Sequence, residues 1–339
     1  MKTKDVTTKA YLEEPTRFAD AFNYYLFNGE QVIDAASLRV KDPEELIFAG
    51  KGRAYQKFRD ILKSCVIKQD DENTYVLLGI ENQSDIHYAM PVRNQLYDAL
   101  NYSEQVSKQG EENRKNKASL SSEEFLSDFR KTDKLTPVIT LVIYWGDKKW
   151  DAPRSLSEMF SPIDPRIQPF INDYKINLII PYEIDDFEKF STELGDVLEI
   201  IKRQKEENLV DSLIREKGLE WTMSRTGVDV INEFTKSNIS TKSQKGEKIN
   251  MCRAFEVLEE RGMEKGLKQG IEKGIDKHLI ELICKKLVKG KDVRTIASEV
   301  EESEDYVSGI VKIASAYAPE YNTEKIFEAF YRNKAEKIS

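Results

Sequence analysis

The run PVITLVIYW at 137–145 is apolar at nearly every successive position, so a strand formed there buries both of its faces. Only a sheet covered by helices on each side accommodates that. A second such run, INLIIPY at 176–182, repeats the pattern. Two more β-prone runs, RDILKSCVIK at 59–68 and TYVLLGIENQ at 74–83, are separated by the polar group QDDEN, which signals a hairpin. In FADAFNYYLFN (18–28), Phe18, Phe22, Tyr25 and Leu26 fall near helical spacing, with Asp20 toward the start. A further helix is expected from about Tyr88 to Val106, with Pro91 in its first turn, where a missing N–H is harmless. Lys41 to Gly52 reads as turn-rich and 108–134 as a polar excursion. The fold class predicted for residues 1–205 is therefore α/β, a mixed sheet flanked by helices.

A chain of 339 residues has room for more than one module. From Phe187 onward the pattern turns helical and charged, and KSNISTKSQKGEK (236–248) is polar enough for a linker, so 206–250 is expected to be a helical connector and polar linker. Next, RGMEKGLKQGIEKGIDK places Gly262, Gly266, Gly270 and Gly274 four apart, with Met263, Leu267, Ile271 and Ile275 beside them, in a helical repeat over 251–277. An interior Gly costs a helix about 1 kcal/mol relative to Ala, so the repeat suits either close helix contact in a homo-oligomer or a flexible hinge. Residues 278–339 read as helix, Gly290 turn, helix, polar turn at Glu301 to Ser303, helix: a helix-turn-helix-like, α-helical tail.

The charge sum, 52 Lys plus Arg against 60 Asp plus Glu, gives −8, unlike a protein that coats polyanions generally. Residues 236–294 nevertheless hold 15 basic and 9 acidic side chains, so any nucleic-acid affinity is expected to be local. Lys285, Lys286, Lys289, Lys291 and Arg294 form the credible contact patch, opposed by Glu299, Glu301, Glu302, Glu304 and Asp305 around the second turn. Cys65, Cys252 and Cys284 show no paired metal spacing, which fits a reducing cytoplasm. The first residues carry no apolar signal core, and no apolar run approaches the ~20 residues a bilayer needs, so no membrane partner is expected. Gly50-Lys51-Gly52-Arg53 lacks the spacing and hydroxyl of a phosphate loop, so no nucleotide cofactor is expected. With His87 and His278 the only histidines, carboxylates must carry any acid, base or metal work.

If the hairpin turn centres between Asp71 and Glu72, Asp60 lies opposite Gln83 and Leu62 opposite Glu81. Period-two alternation then puts Asp60, Glu81 and Gln83 on one face at the open end of the hairpin. Two carboxylates there repel unless a cation lies between them, and hard oxygen ligands suit Mg2+. Asp60, Glu81 and the backbone carbonyl of Asn82 make a partial shell whose natural substrate is a phosphodiester. The bland alternatives are a solvated strand end for Glu81 and Gln83, and an ion pair with Arg59 or Lys63 for Asp60. Arg93 and Tyr97, at i and i+4 on the following helix, face either this site or the packing interior. Tyr144 and Trp145 read as core or rim.

Taken together, RDILKSCVIK, YVLLGIENQS, AMPVRNQLYDALNY and KLTPVITLVIYWG, with ADAFNYYLF before them, resemble the recombination-promoting nuclease (Rpn) and YhgA-like putative transposase family, a PD-(D/E)XK nuclease branch. The resemblance covers most of the chain, least clearly 108–134 and 185–250. It implies a restriction-endonuclease-like core over 1–205, with Asp60 as the first motif acid, Glu81 as the second, and Gln83 where the PD-(D/E)XK superfamily pattern has lysine. That departure removes a positive charge and leaves neutralisation to the metal and Arg93. The implied activity is a Mg2+-dependent DNA endonuclease linked to recombination, with Mn2+ or Ca2+ as possible substitutes for Mg2+. Asp20 would hold a water or metal from the first helix, or simply complement the helix dipole. The competing function is a catalytically weak, self-associating nucleic-acid-binding protein.

Overall fold

The computed structural model describes residues 2–41, 44–49, 53–58, 60–69, 72–116, 121–242, 244 and 246–336. The chain divides into two units, Met1–Phe255 and Glu256–Ser339. The first opens with helices α1 (Lys2–Leu12) and α2 (Pro15–Phe27), followed by strands β1 (Arg39–Val40), β2 (Glu44–Ala49), β3 (Arg53–Phe58), β4 (Ile61–Gln69) and β5 (Glu72–Gln83). Helix α3 (Met90–Lys115), the short α4 (Ser122–Ser127), β6 (Val138–Tyr144) and β7 (Asn177–Ile179) come next. The unit continues with α5 (Leu194–Arg203), α6 (Leu209–Lys217), β8 (Thr222–Ser224), α7 (Arg225–Thr235) and β9 (Lys248–Asn250).

The main sheet runs β1-β4-β5-β6-β7, antiparallel between β4 and β5 and parallel from β5 through β6 to β7. Parallel neighbours need a crossover, and α3 supplies it between β5 and β6. As its apolar run requires, β6 is buried on both faces: Leu141, Val142, Ile143 and Tyr144 are at most 1% exposed. Val142 and Tyr144 pack with Met90 of α3 and Trp150, while Trp145, just past the strand, meets Tyr11 of α1 and Phe234 of α7 on the other face. The same alternation sorts β4. Lys63 points to the α1–α2 side, where its Nζ donates to the Glu13 carbonyl at 2.7 Å and lies 4.6 Å from the Phe18 ring centroid. Burial lowers its pKa.

Three segments differ from the sequence expectation. Where turns were expected before Gly52, β2 pairs with β3 in a separate antiparallel ribbon. Helix α3 runs past Val106 into the supposed polar excursion, because its polar residues bond to the returning loop rather than to water: Gln105 exchanges hydrogen bonds with Thr136, and Asn113 Nδ2 donates to Asp133. Residues 206–250, expected as connector and linker, belong to the first unit. Helix α7 buries Val228, Val230 and Ile231, and β8 pairs with β9.

Asp20 is the clearest correction. It is 1% exposed on α2, and its carboxylate accepts from Ser191 N–H and Oγ (both 2.9 Å) and from Thr192 N–H (3.0 Å) and Oγ1 (2.6 Å). It fastens the approach to α5 onto α2, and both oxygens are committed to that task rather than to a metal or to a helix dipole.

In the second unit, the C-terminal part of α8 (Met251–Val288) packs with α9 (Val293–Val300), α10 (Glu304–Ala314) and α11 (Thr323–Glu336) around Ile280, Ile283, Ile296, Val307, Ile310 and Ile326. Gly290 (φ 73°) and Glu301 (φ 57°) turn the chain in the left-handed region, and Asp292 and Ser303 cap the helices that follow. Among the described residues no helix is long and apolar enough to cross a membrane.

Replacing Asp20 by Ala removes a buried acceptor from two backbone and two hydroxyl donors at a part-buried junction. Asp20→Ala is expected to lower unfolding free energy by about 3 kcal/mol, read from the urea midpoint, whereas an unchanged midpoint would contradict this anchoring role.

Candidate active site

The site forms where the β4–β5 ladder stops. The observed register pairs Ile61 with Ile80 and Leu62 with Gly79, so it is shifted by two residues from the one expected, and Asp60 takes the position opposite Glu81 rather than Gln83. The turn itself, at residues 70–71, lies outside the described residues, as does Arg59. A two-residue shift preserves side-chain parity, so the facial assignment survives although the pairs change. Beyond Ile61 the ladder is continued by a side chain: Asp60 Oδ2 accepts the Asn82 N–H at 2.7 Å.

Glu81 and Gln83 face α3, as Val142 and Tyr144 beside them do. Glu81 is 1% exposed, and its Oε1 forms an ion pair with the Arg93 guanidinium. Arg93 Nε donates to the Tyr97 hydroxyl at 3.0 Å, one helical turn further along α3. Gln83 Nε2 donates to the Asn82 carbonyl at 2.9 Å and lies 3.4 Å from Glu81 Oε1. The Asn82 side chain points to the opposite face, where its Oδ1 accepts from Trp145 Nε1 at 2.8 Å. Tyr144 and Trp145 are thus core residues. The structure brings Asp60, Glu81, Asn82, Gln83, Arg93 and Tyr97 together and leaves Asp20 elsewhere. Lys63, offered as an ion-pair partner for Asp60, bonds to Glu13 instead.

Among the described residues, Arg93 is paired with Glu81 and its charge also acts on Asp60. Burial pushes the Asp60 carboxyl above its ordinary range, opposed by the Asn82 hydrogen bonds and the Arg93 charge. Burial disfavours the Arg93 charge as well, yet Glu81, Tyr97 and Asp60 together hold its pKa above the usual value. Burial, and next the Glu81 charge, raise the Tyr97 phenol. A residue that sequence reasoning missed, Asp5 on α1, adds a further upward push on Asp60 and accepts from Ser84 Oγ at 3.4 Å. Its polar segment, KTKDVTTKAYL, holds no pattern that would have marked it.

The donor set suits one hard cation of modest protein coordination. Among the described residues no three His, Cys, Asp or Glu side chains gather into a site able to hold a metal. That excludes an all-protein cage from this set but fits the Mg2+ mode, in which one or two carboxylates bind and substrate and water complete the shell. Arg93 already holds a positive charge against Glu81, within electrostatic reach of Asp60. The Asn82 carbonyl, the third expected ligand, is the acceptor for Gln83.

In the tail, the expected contact patch is largely paired internally. Lys286 and Lys291 both bind Glu299, lowering its carboxyl to about 2, and Arg294 lies 3.7 Å from Glu304. Lys285 and Lys289 are exposed.

Because Glu81 is buried and Arg93 about a third exposed, removing the arginine strands a charge in the interior. Arg93→Met is expected to cost about 2 kcal/mol in urea unfolding, discounted from the ~3–5 kcal/mol of a fully buried pair, and adding Glu81→Gln should restore most of it. Additive losses in the double variant would contradict the pairing.

A family model described as "Putative transposase, YhgA-like" matches residues 4–220, a span that holds the whole five-stranded sheet and the 60–97 cluster. No curated protein and no solved structure matches the chain. The family match covers well over half of the sequence, and the chain belongs to the YhgA-like putative transposase family.

Proposed function

We propose that this chain is a metal-dependent DNA endonuclease with a PD-(D/E)XK-type core, cutting phosphodiesters at the end of the β4–β5 hairpin. The observation that carries the reading is the pairing of two carboxylates, Asp60 and Glu81, at one strand end, with Arg93 in contact with Glu81 and its charge felt by Asp60. Asp60, Glu81 and the Asn82 carbonyl would hold Mg2+, which when bound polarises the scissile phosphate and acidifies a water. The remaining work falls to the chain. The Asn82 N–H fixes the Asp60 carboxylate, leaving its second oxygen for the cation. The Gln83 amide, beside Glu81, orients water or donates to a phosphate oxygen, as a neutral group can. Arg93 is paired with Glu81 and, partly exposed, is available to a phosphate once Glu81 has another counter-charge. Tyr97 holds the guanidinium in place.

A second reading, a nucleic-acid-binding protein that does not cut, draws on two features: Gln83 carries no charge where a lysine is usual, and Arg93 satisfies Glu81 without a metal. Supercoiled plasmid separates them. With Mg2+ the nuclease reading expects nicked and linear products, none with a chelator, and a fall of roughly 100-fold or more in Asp60→Ala and Glu81→Gln. Retarded but intact plasmid would establish the second reading, and nicking that survives the chelator or Asp60→Ala would overturn the first.

A further inference from the structure

Asp60 and Glu81 occupy only one end of the sheet face that looks toward α3. Residues paired directly across strands share a face, so the registers of β1, β4 and β5 arrange this face in rows. Asp60 and Glu81 make the first. Leu62 and Gly79 make the second, extended at the sheet edge by Lys41, whose N–H donates to the Leu62 carbonyl at 3.0 Å. Arg39, Ser64 and Leu77 make the third, and Val66 and Tyr75 the fourth. Successive rows lie two residues apart, a step of about 6.6 Å.

Rows two to four line a cavity of about 730 Å³, whose opposite wall is α3 from Asn101 to Lys108. It begins where the site ends: Leu62 is one strand repeat beyond Asp60, and Asn101 is one helical turn beyond Tyr97. Its edge carries charge of a single sign. Arg39 and Lys41 are both exposed, and among the described residues neither forms an ion pair. Arg39 Nη1 donates to the carbonyls of Ala36 (2.8 Å) and Leu38 (2.9 Å), which fixes the guanidinium without neutralising it. On the helix wall Lys108 pairs with Glu104 one turn away, an exposed contact of little strength. Tyr75, 62% exposed, sets an aromatic ring in the last row. The tail differs, since Glu299 there already holds Lys286 and Lys291.

We infer that this cavity is a track for a single strand of DNA running away from the cut, an inference that rests on the endonuclease reading above. The row spacing is close to the step between successive phosphates of an extended strand. With the scissile phosphate at the Asp60–Glu81 row, the next phosphate meets Lys41 and the one after it Arg39. Tyr75 then stands where a following base stacks. A cationic edge that follows the backbone, joined to an aromatic ring, binds single strands with little sequence preference. The two unpaired cations line one edge only, and α3 closes the other side, so the track matches one backbone and not the two of a duplex. The substrate is therefore DNA with a single-stranded tail or gap beside the scissile bond.

The test measures fluorescence anisotropy of a labelled oligonucleotide with the full chain in chelator, where binding is read without cutting. Single-stranded and tailed duplex DNA are expected to bind about tenfold more tightly than a blunt duplex of the same sequence. Arg39→Gln/Lys41→Gln should weaken single-strand binding about tenfold and lower the slope of log affinity against log salt by about 1.4, at ~0.7 per phosphate contact. Lys41→Gln alone, which removes no described side-chain bond, should carry half of that slope change. Tyr75→Ala should cost about tenfold at an unchanged slope. The exposed tail pair Lys285→Gln/Lys289→Gln should bind as the parent does. Equal affinity for the blunt duplex, an edge variant that binds like the parent, or an equal loss in the tail variant would overturn the inference. A parent that binds tailed DNA through Arg39 and Lys41 yet cuts nothing with Mg2+ would instead retire the nuclease reading and keep the track. Cutting that ignores both the tail and the edge variants would do the reverse.

Discussion

The last rung of the β4–β5 ladder pairs Ile61 with Ile80, and the next backbone donor, Asn82 N–H, is bonded by the Asp60 carboxylate. A buried N–H must have an acceptor, so a side chain that ends a ladder is held as firmly as a rung would be. That one bond places Asp60 at the strand end opposite Glu81, on the face where α3 begins. Because β5 and β6 are parallel, the chain must cross over between them, and the crossover helix starts directly above that strand end. Its first turns then deliver Arg93 and Tyr97 to the acids. The counter-charge for a buried carboxylate is thus a consequence of sheet topology.

Strand alternation also ties the site to the interior. Glu81 and Gln83 face α3, while Asn82 between them turns to the other face and accepts from Trp145, whose ring packs against Tyr11 and Phe234. Phe234 comes from α7, within the stretch 206–250 expected as connector and linker. The site's strand end is therefore braced on its far side by residues as distant in sequence as Tyr11 and Phe234. Asp20, fixing α2 to Ser191 and Thr192, belongs to the same bracing.

How far the sequence revealed this depended on range. Alternation and apolar runs are local, and from them came the mixed sheet, the hairpin, the interior position of β6 and the shared face of Glu81 and Gln83. The register was off by two because QDDEN offers several turn centres, and the error did no damage because two is the period of the strand. Range defeated the rest. Nothing near Asp20 reveals donors at 191 and 192, since a buried carboxylate and an exposed helix-start carboxylate look alike in sequence. KSNISTKSQKGEK is indeed polar, but the hydrophobic face of α7 just before it, Val228, Val230 and Ile231, is what decides that the segment folds. The polar end of α3 misled for the converse reason: Gln105 and Asn113 are helical because a loop some twenty to thirty residues away bonds to them.

The same distinction governs charge. Counted along the chain, residues 236–294 carry a net +6 and invite a phosphate backbone. Folded, they do not present it, because acids just beyond that window return to it. Glu299 takes both Lys286 and Lys291, Glu304 lies beside Arg294, and Glu324 binds Lys277. These three carboxylates halve the excess, and Glu299 and Glu304 do so at Lys286, Lys291 and Arg294, on either side of the Gly290 turn. Exposed pairs of this kind are worth little in stability and are weakened by salt, but a phosphate must compete with a carboxylate already in contact. Whatever attraction the tail exerts on a polyanion rests on Lys285, Lys289 and the other cations outside those pairs, which is fewer charges than the sequence advertises.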